Sequence, residues 1–171
     1  MGMDVYGIEP KTDAGEYFRN NVWYWRPLWN YCLSVSGDLI DGNIGHDNSG
    51  EGLDAYQAEQ LAEILEDQLS KGHTLKYKQT YDAMIASIPR DVCEYCEGTG
   101  IRSDEVGVEH KMPERPLEVE LAVLLGRSQG WCNACRGEGM KDSWESAYPF
   151  EVDNVREFAK FCRDSGGFNI Y

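Results

Sequence analysis

One pattern occurs twice in this chain: Cys93-Glu94-Tyr95-Cys96-Glu97-Gly98-Thr99-Gly100 and Cys132-Asn133-Ala134-Cys135-Arg136-Gly137-Glu138-Gly139, both C-x-x-C-x-G-x-G. It constrains the fold more than any other feature, because one metal held by both copies must bring two distant stretches together. Each C-x-x-C places two thiolates on one tight turn, and two turns supply the four soft ligands that structural zinc takes in a tetrahedron. A chain wrapped round a metal needs backbone at positive φ and room for N–H groups to reach the sulfurs; glycine supplies both. Paired cysteines have other uses, namely a redox C-x-x-C or two local disulfides. A redox motif belongs between a strand and a helix of a βαβ unit, whereas these pairs sit in Gly-rich turns and come twice. The spacing therefore predicts one structural zinc on Cys93, Cys96, Cys132 and Cys135, with no coordination position left for catalysis. Four thiolates also suit iron.

Composition bounds the rest. A chain of 171 residues with 42% hydrophobic and 12% aromatic residues is long and apolar enough for a folded domain with a core. No apolar run approaches the ~18 residues of a membrane span. No basic-then-apolar leader opens the sequence, and Tyr6 stands where a myristoylation signal needs Ser or Thr. A cytoplasmic protein with reduced thiols is expected. Cys32 and Cys162, outside the octads, fall in apolar helical patterns and read as buried core cysteines. The net charge of −14, from 16 basic and 30 acidic residues, argues against direct binding of a phosphate backbone. It suits a protein partner with a basic surface, or mimicry of nucleic acid, as well as plain solubility.

The octad resembles the zinc-binding repeat of DnaJ-type chaperones, over Cys93–Gly100 and Cys132–Gly139. That family typically carries four repeats and two zinc centres, so two repeats imply one zinc. The His-Pro-Asp signature of the J-domain is missing, since none of His46, His73 and His110 precedes a proline. Co-chaperone activity is not implied; peptide binding beside the knuckles is. The opening Met-Gly-Met-Asp-Val-Tyr-Gly, the Asn-Asn-Val-Trp-Tyr-Trp-Arg-Pro run ending at Pro27 and Asn154–Phe158 look like an uncharacterised family of bacterial and phage proteins. That resemblance brings no activity with it.

Along the chain, Asp4–Glu9 reads as a strand, Lys11–Gly15 as a turn, and Val22–Trp25 as a short β-prone strand. Pro27 suits the first turn of a helix running to Ser36. Trp23, Trp25 and Trp29 are core candidates. Alternatively Asn21, Trp23, Trp25 and Arg26 line a ligand cleft with His46 and Asp47 of the loop Asp41–Gly52. That loop's Asp/Asn spacing is not a calcium loop, because Gly52 occupies the place of the bidentate glutamate.

Asp54 and Gln57 form a capping box for a helix with an Ala58, Leu61, Leu65, Leu69 stripe. Its outer face carries Glu59, Glu63, Glu66 and Asp67, with no Lys or Arg between Asp54 and Ser70 to offset them. Gly72 ends it, and Thr74–Ser87 makes an antiparallel partner. Between the octads, Ile101–His110 reads as a hairpin arm, Met112–Pro116 as a loop and Leu117–Leu125 as a helix. Phe150 and Val152 suggest a strand. Asp153 is the N-cap of a helix to Ser165, and Phe168–Tyr171 is a docked terminal strand.

The expected fold is α+β: a small sheet, three or four helices and one four-cysteine knuckle pair. It is read as one compact unit over 1–171, with a body at 1–90, a zinc-binding insert at 91–140, and a C-terminal helix and strand at 141–171 that pack on the body. Three functions follow. The first is a non-enzymatic, zinc-stabilised module presenting Glu59, Glu63, Glu66 and Asp67 to a basic protein partner; borne by a phage, it would inhibit a host nucleic-acid-binding protein. The second is a small-ligand binder or enzyme in the Trp23–Pro27/His46 cleft. The third is a chaperone-like peptide binder beside the knuckles. Neither direct nucleic-acid binding nor membrane association is expected.

Overall fold

The tail of the chain, not its beginning, closes the main sheet. The computed structural model describes residues 2–102, 104–111, 116–126 and 128–171, with only the backbone described at Leu121 and Leu125. In order, the elements are β1 (Gly2–Gly7), β2 (Tyr17–Asn21), α1 (Val22–Ser36), β3 (Gly52–Leu53), α2 (Ala55–Ser70), α3 (His73–Ala86), β4 (Asp91–Val92), α4 (Glu105–Glu109), α5 (Val119–Leu125), β5 (Met140–Lys141), α6 (Val152–Ser165) and β6 (Phe168–Ile170). This is the α+β class. The chain divides into two compact units, 1–86 with 148–171, and 87–147. The sequence reading expects one unit with an insert at 91–140.

In the first unit an antiparallel sheet has the order β2-β1-β6-β3, so the last strand is an inner one. Alternation along β1 turns Met3 and Val5 to the core and leaves Tyr6 exposed on the other side. Trp25, Trp29 and Tyr31 of α1, Leu61 and Leu65 of α2, and Phe158 and Phe161 of α6 cover the inner face with Phe168 and Ile170. Trp25 and Trp29 stack at 5.2 Å, with Phe158 edge-on to both. Their indole N–H groups find partners in the loop after α1: Trp25 Nε1 donates to Gly45 O at 2.8 Å and Trp29 Nε1 to Ile44 O at 2.6 Å. Cys32 and Cys162 lie in this core, where burial pushes both thiols up.

Four local expectations are corrected. Val22–Trp25 is helical, because Asn21 Oδ1 caps the helix by accepting from the N–H groups of Trp23 and Tyr24, both at 3.1 Å; the strand is Tyr17–Asn21 instead. Pro27 consequently lies inside α1 rather than in its first turn, and the helix continues past it. Ile101–His110 is not a hairpin arm: Asp104 accepts from Gly107 N–H at 2.9 Å and starts α4. Phe150 and Val152 form no strand. Phe150 is a buried core ring, and α6 starts at Val152 with Glu151 as its N-cap, so Asp153 lies in the first turn and pairs with Arg156. The capping box at Asp54 and Gln57, and Gly72 at φ 71° after α2, are as expected. Met112–Glu114 and Arg115 of the expected loop lie outside the described residues.

In the second unit the first knuckle follows β4 and the second precedes β5. These strands pair antiparallel through Asp91–Lys141 and Val92–Met140, clasping the knuckles at their outer ends.

Candidate metal centre

All four octad cysteines are buried, and their sulfurs lie within 4.8 Å of one another. Cys93 Sγ is 3.7 Å from Cys132 Sγ, and Cys96 Sγ is 3.6 Å from Cys135 Sγ. Four sulfurs each about 2.3 Å from a zinc would sit at tetrahedron edges of about 3.8 Å. A disulfide needs about 2.0 Å, and all six cysteines are free thiols. Among the described residues, these four form the group of metal-ligating side chains able to hold an ion.

The two knuckles share the bond from the last glycine to the second cysteine of each octad. Gly100 N–H donates to Cys96 Sγ at 3.3 Å, and Gly139 N–H to Cys135 Sγ at 3.3 Å. Each turn runs through positive φ at equivalent places: Glu97 and Gly98 in one, Arg136 and Gly137 in the other. Gly139 carries a second constraint. A Cβ there would lie 2.2 Å from the Gly98 carbonyl oxygen, so the two turns meet backbone to backbone. Cys93 N–H donates to Gly139 O at 2.9 Å across the same contact.

Packing four thiols together sets their acidities against one another. Burial raises the Cys96 and Cys132 thiols above the ordinary value. Burial also opposes ionisation of Cys93, but the Tyr95 N–H and the neighbouring thiols outweigh it and lower that thiol. Four thiolates packed this closely require a compensating cation.

Arg102 is the residue that motif reading missed. It is 8% exposed. Its guanidinium grips Asp104 in a fork, Nε to Oδ1 at 2.8 Å and Nη2 to Oδ2 at 2.8 Å, and donates from Nη1 to Asn133 Oδ1 at 2.6 Å. It also lies 4.7 Å over the Tyr95 ring. Tyr95 and Asn133 are the variable positions inside the two C-x-x-C turns, so one side chain ties both turns together. The available signal was an arginine just beyond the first octad, with an aspartate following it closely.

The other candidate residues are each engaged separately. Asn21 caps α1. Trp25 is buried against Gly45 O. Trp23 packs on Tyr148 at 4.9 Å, and Arg26 Nη1 bonds the Tyr148 hydroxyl at 3.0 Å. His46 Nε2 bonds Gly42 O at 2.9 Å, and Asp47 Oδ1 accepts from Ser49 N–H at 3.1 Å. The Trp23–Arg26–Tyr148 group and the His46 loop thus each make contacts of their own, and Trp25 joins α1 to that loop.

On α2, Glu59, Glu63 and Glu66 converge on Arg163 of α6. Nη2 is 2.7 Å from Glu66 Oε2, and Nη1 is 3.7 Å from Glu63 and 3.8 Å from Glu59. Asp67 pairs with Lys71 at 2.7 Å. Lys71 is the C-cap of the helix itself, whereas Arg163 comes from α6, which no local sequence window displays.

No helix of the described chain is long and apolar enough to cross a membrane. Comparison with known proteins returns no relative: no family model, no curated protein and no solved structure matches the chain.

Proposed function

We propose that this chain is a zinc-stabilised protein-interaction module for a partner with a basic surface, and that it is not an enzyme. The observation that carries the reading is the closed sulfur set. All four positions of a tetrahedral ion are taken by Cys93, Cys96, Cys132 and Cys135, at separations suited to zinc, which leaves none for water or substrate. The metal's work is then to hold the 87–147 unit folded. The partner's character comes from charge. On α2 four carboxylates stand against the two cations Arg163 and Lys71, so that face keeps a net negative charge in a chain of −14. A protein whose own ligand is nucleic acid offers a matching basic face, and the acidic module would compete for it.

Native mass spectrometry of the protein purified from its own host, with elemental analysis, tests both halves. One zinc and a co-purifying basic protein, lost at high salt and in the Glu59→Lys/Glu63→Lys/Glu66→Lys variant, are expected. A metal-free folded protein, or a partner whose binding ignores salt and that variant, would overturn the reading.

A further inference from the structure

Among the described residues, the helices that bury Met3 and Val5 cover one face of the four-stranded sheet. On the other, Tyr6 of β1 stands opposite Tyr17 of β2, and Asp4 opposite Arg19. Tyr171 lies beside β1 through paired backbone bonds with Asp4, each 2.7 Å. The Tyr6 ring centroid is 5.0 Å from that of Tyr17 and 6.0 Å from that of Tyr171, at interplanar angles of 43° and 63°. Tyr6, Tyr17 and Tyr171 are 48%, 44% and 47% exposed. A contiguous aromatic patch of this kind on a sheet face marks a contact surface more often than an isolated exposed ring does.

Charge says what fits it. The Asp4 carboxylate sits among the rings; both the Tyr17 hydroxyl and Arg19 Nε, the latter at 3.4 Å, contact its Oδ1. Gly50, whose N–H donates to Ile170 O, lies against the Tyr171 ring. Arg19, the cation on the face itself, is already placed on Asp4. A phosphate backbone would be repelled here, and so would a second copy of a chain carrying −14. A planar cation is favoured by the π faces and by the chain's net charge of −14, and guanidinium stacks on aromatic rings better than ammonium does. We infer that the open face around Tyr6, Tyr17, Tyr171 and Asp4 docks an arginine-bearing segment of the protein partner. This rests on the basic-partner reading above and gives that partner a second contact, separate from α2.

The test titrates the full chain, as purified, with two capped peptides of alternating glycine and basic residue, one with arginine and one with lysine, followed by ¹⁵N-resolved NMR. Saturable shifts at Tyr6, Tyr17 and Tyr171, with arginine binding several-fold tighter than lysine, are expected. Tyr6→Leu weakens the arginine peptide by about tenfold while Tyr6→Phe retains it, because the ring and not the hydroxyl supplies the interaction. Equal binding of both peptides, with shifts on α2 and loss in the triple glutamate variant, overturns this inference and leaves the basic-partner reading standing. Absence of saturable binding by either peptide overturns both. Shifts at the three tyrosines from an oligosaccharide or an oligothymidylate, and none from the peptides, overturn the assignment to arginine.

Discussion

Arg102 Nη1 donates to Asn133 Oδ1 at 2.6 Å, joining the segment that leaves the first knuckle to the turn that forms the second. The bond is partly buried, and it lies beside four clustered cysteines that come from two remote stretches. A metal fixes four sulfur positions, but the turns can still rotate about it; Arg102 removes that freedom by engaging Asp104, Asn133 and Tyr95 at once.

Replacing Arg102 with alanine therefore strands Asn133 and Asp104, and it is expected to lower zinc affinity by about 10- to 100-fold. Arg102→Lys rescues little, because an ammonium cannot fork to Asp104 while stacking on Tyr95. Competition with a chromophoric chelator reads both variants. Affinity unchanged in Arg102→Ala would show that the knuckles hold their orientation without it.

Gly139→Ala should be worse for the centre than its size suggests. The new Cβ meets the Gly98 carbonyl at 2.2 Å, and the residue is held at φ 84°. Parting the turns pulls Cys135 from the other ligands. Substoichiometric zinc in the purified variant is the expected result, against one equivalent in the parent.

Chelation of the metal should melt the 87–147 unit and spare the other. The core of 1–86 with 148–171 contains none of the four octad cysteines, and it holds the stacked Trp25 and Trp29. Loss of amide protection confined to 87–147, with the tryptophan signal retained, is the predicted outcome of treatment with a strong chelator.

Gly45 is expected to be intolerant of alanine. It lies at φ 81°, and a Cβ would come within 2.4 Å of the Trp29 indole. Its carbonyl also accepts the Trp25 N–H. Displacing this loop leaves a buried indole N–H unpaired, at a cost of about 1–3 kcal/mol. Urea unfolding followed by tryptophan fluorescence measures it.

Arg163→Gln separates stability from recognition on α2. Exposed ion pairs contribute little, about 0.2–1 kcal/mol each, so the melting temperature should move by only a few degrees. The face, however, loses the cation that Glu59, Glu63 and Glu66 share. A basic partner should bind this variant more tightly at low salt, and the gain should fade as salt rises. Weaker binding would mean that Arg163 itself contacts the partner.

Residue types and spacing alone determined which four cysteines cluster, the α2 boundaries and the α+β class. Each rests on short-range rules: thiolates on a tight turn, a side chain capping its own helix, an apolar stripe with a 3.6-residue period. Where local preference was weak, the reading failed. Val22–Trp25 is β-prone by composition, yet Asn21 caps it into a helix whose face then packs Trp25 and Trp29 on Phe158. Tertiary structure alone decided which partners remote residues took. It brought Arg163 to the α2 glutamates, set Arg102 across both knuckles, and placed Tyr171 beside Tyr6 by threading the last strand between β1 and β3. Such pairings depend on how elements pack rather than on what their neighbours in sequence prefer, so no window of residues contains them.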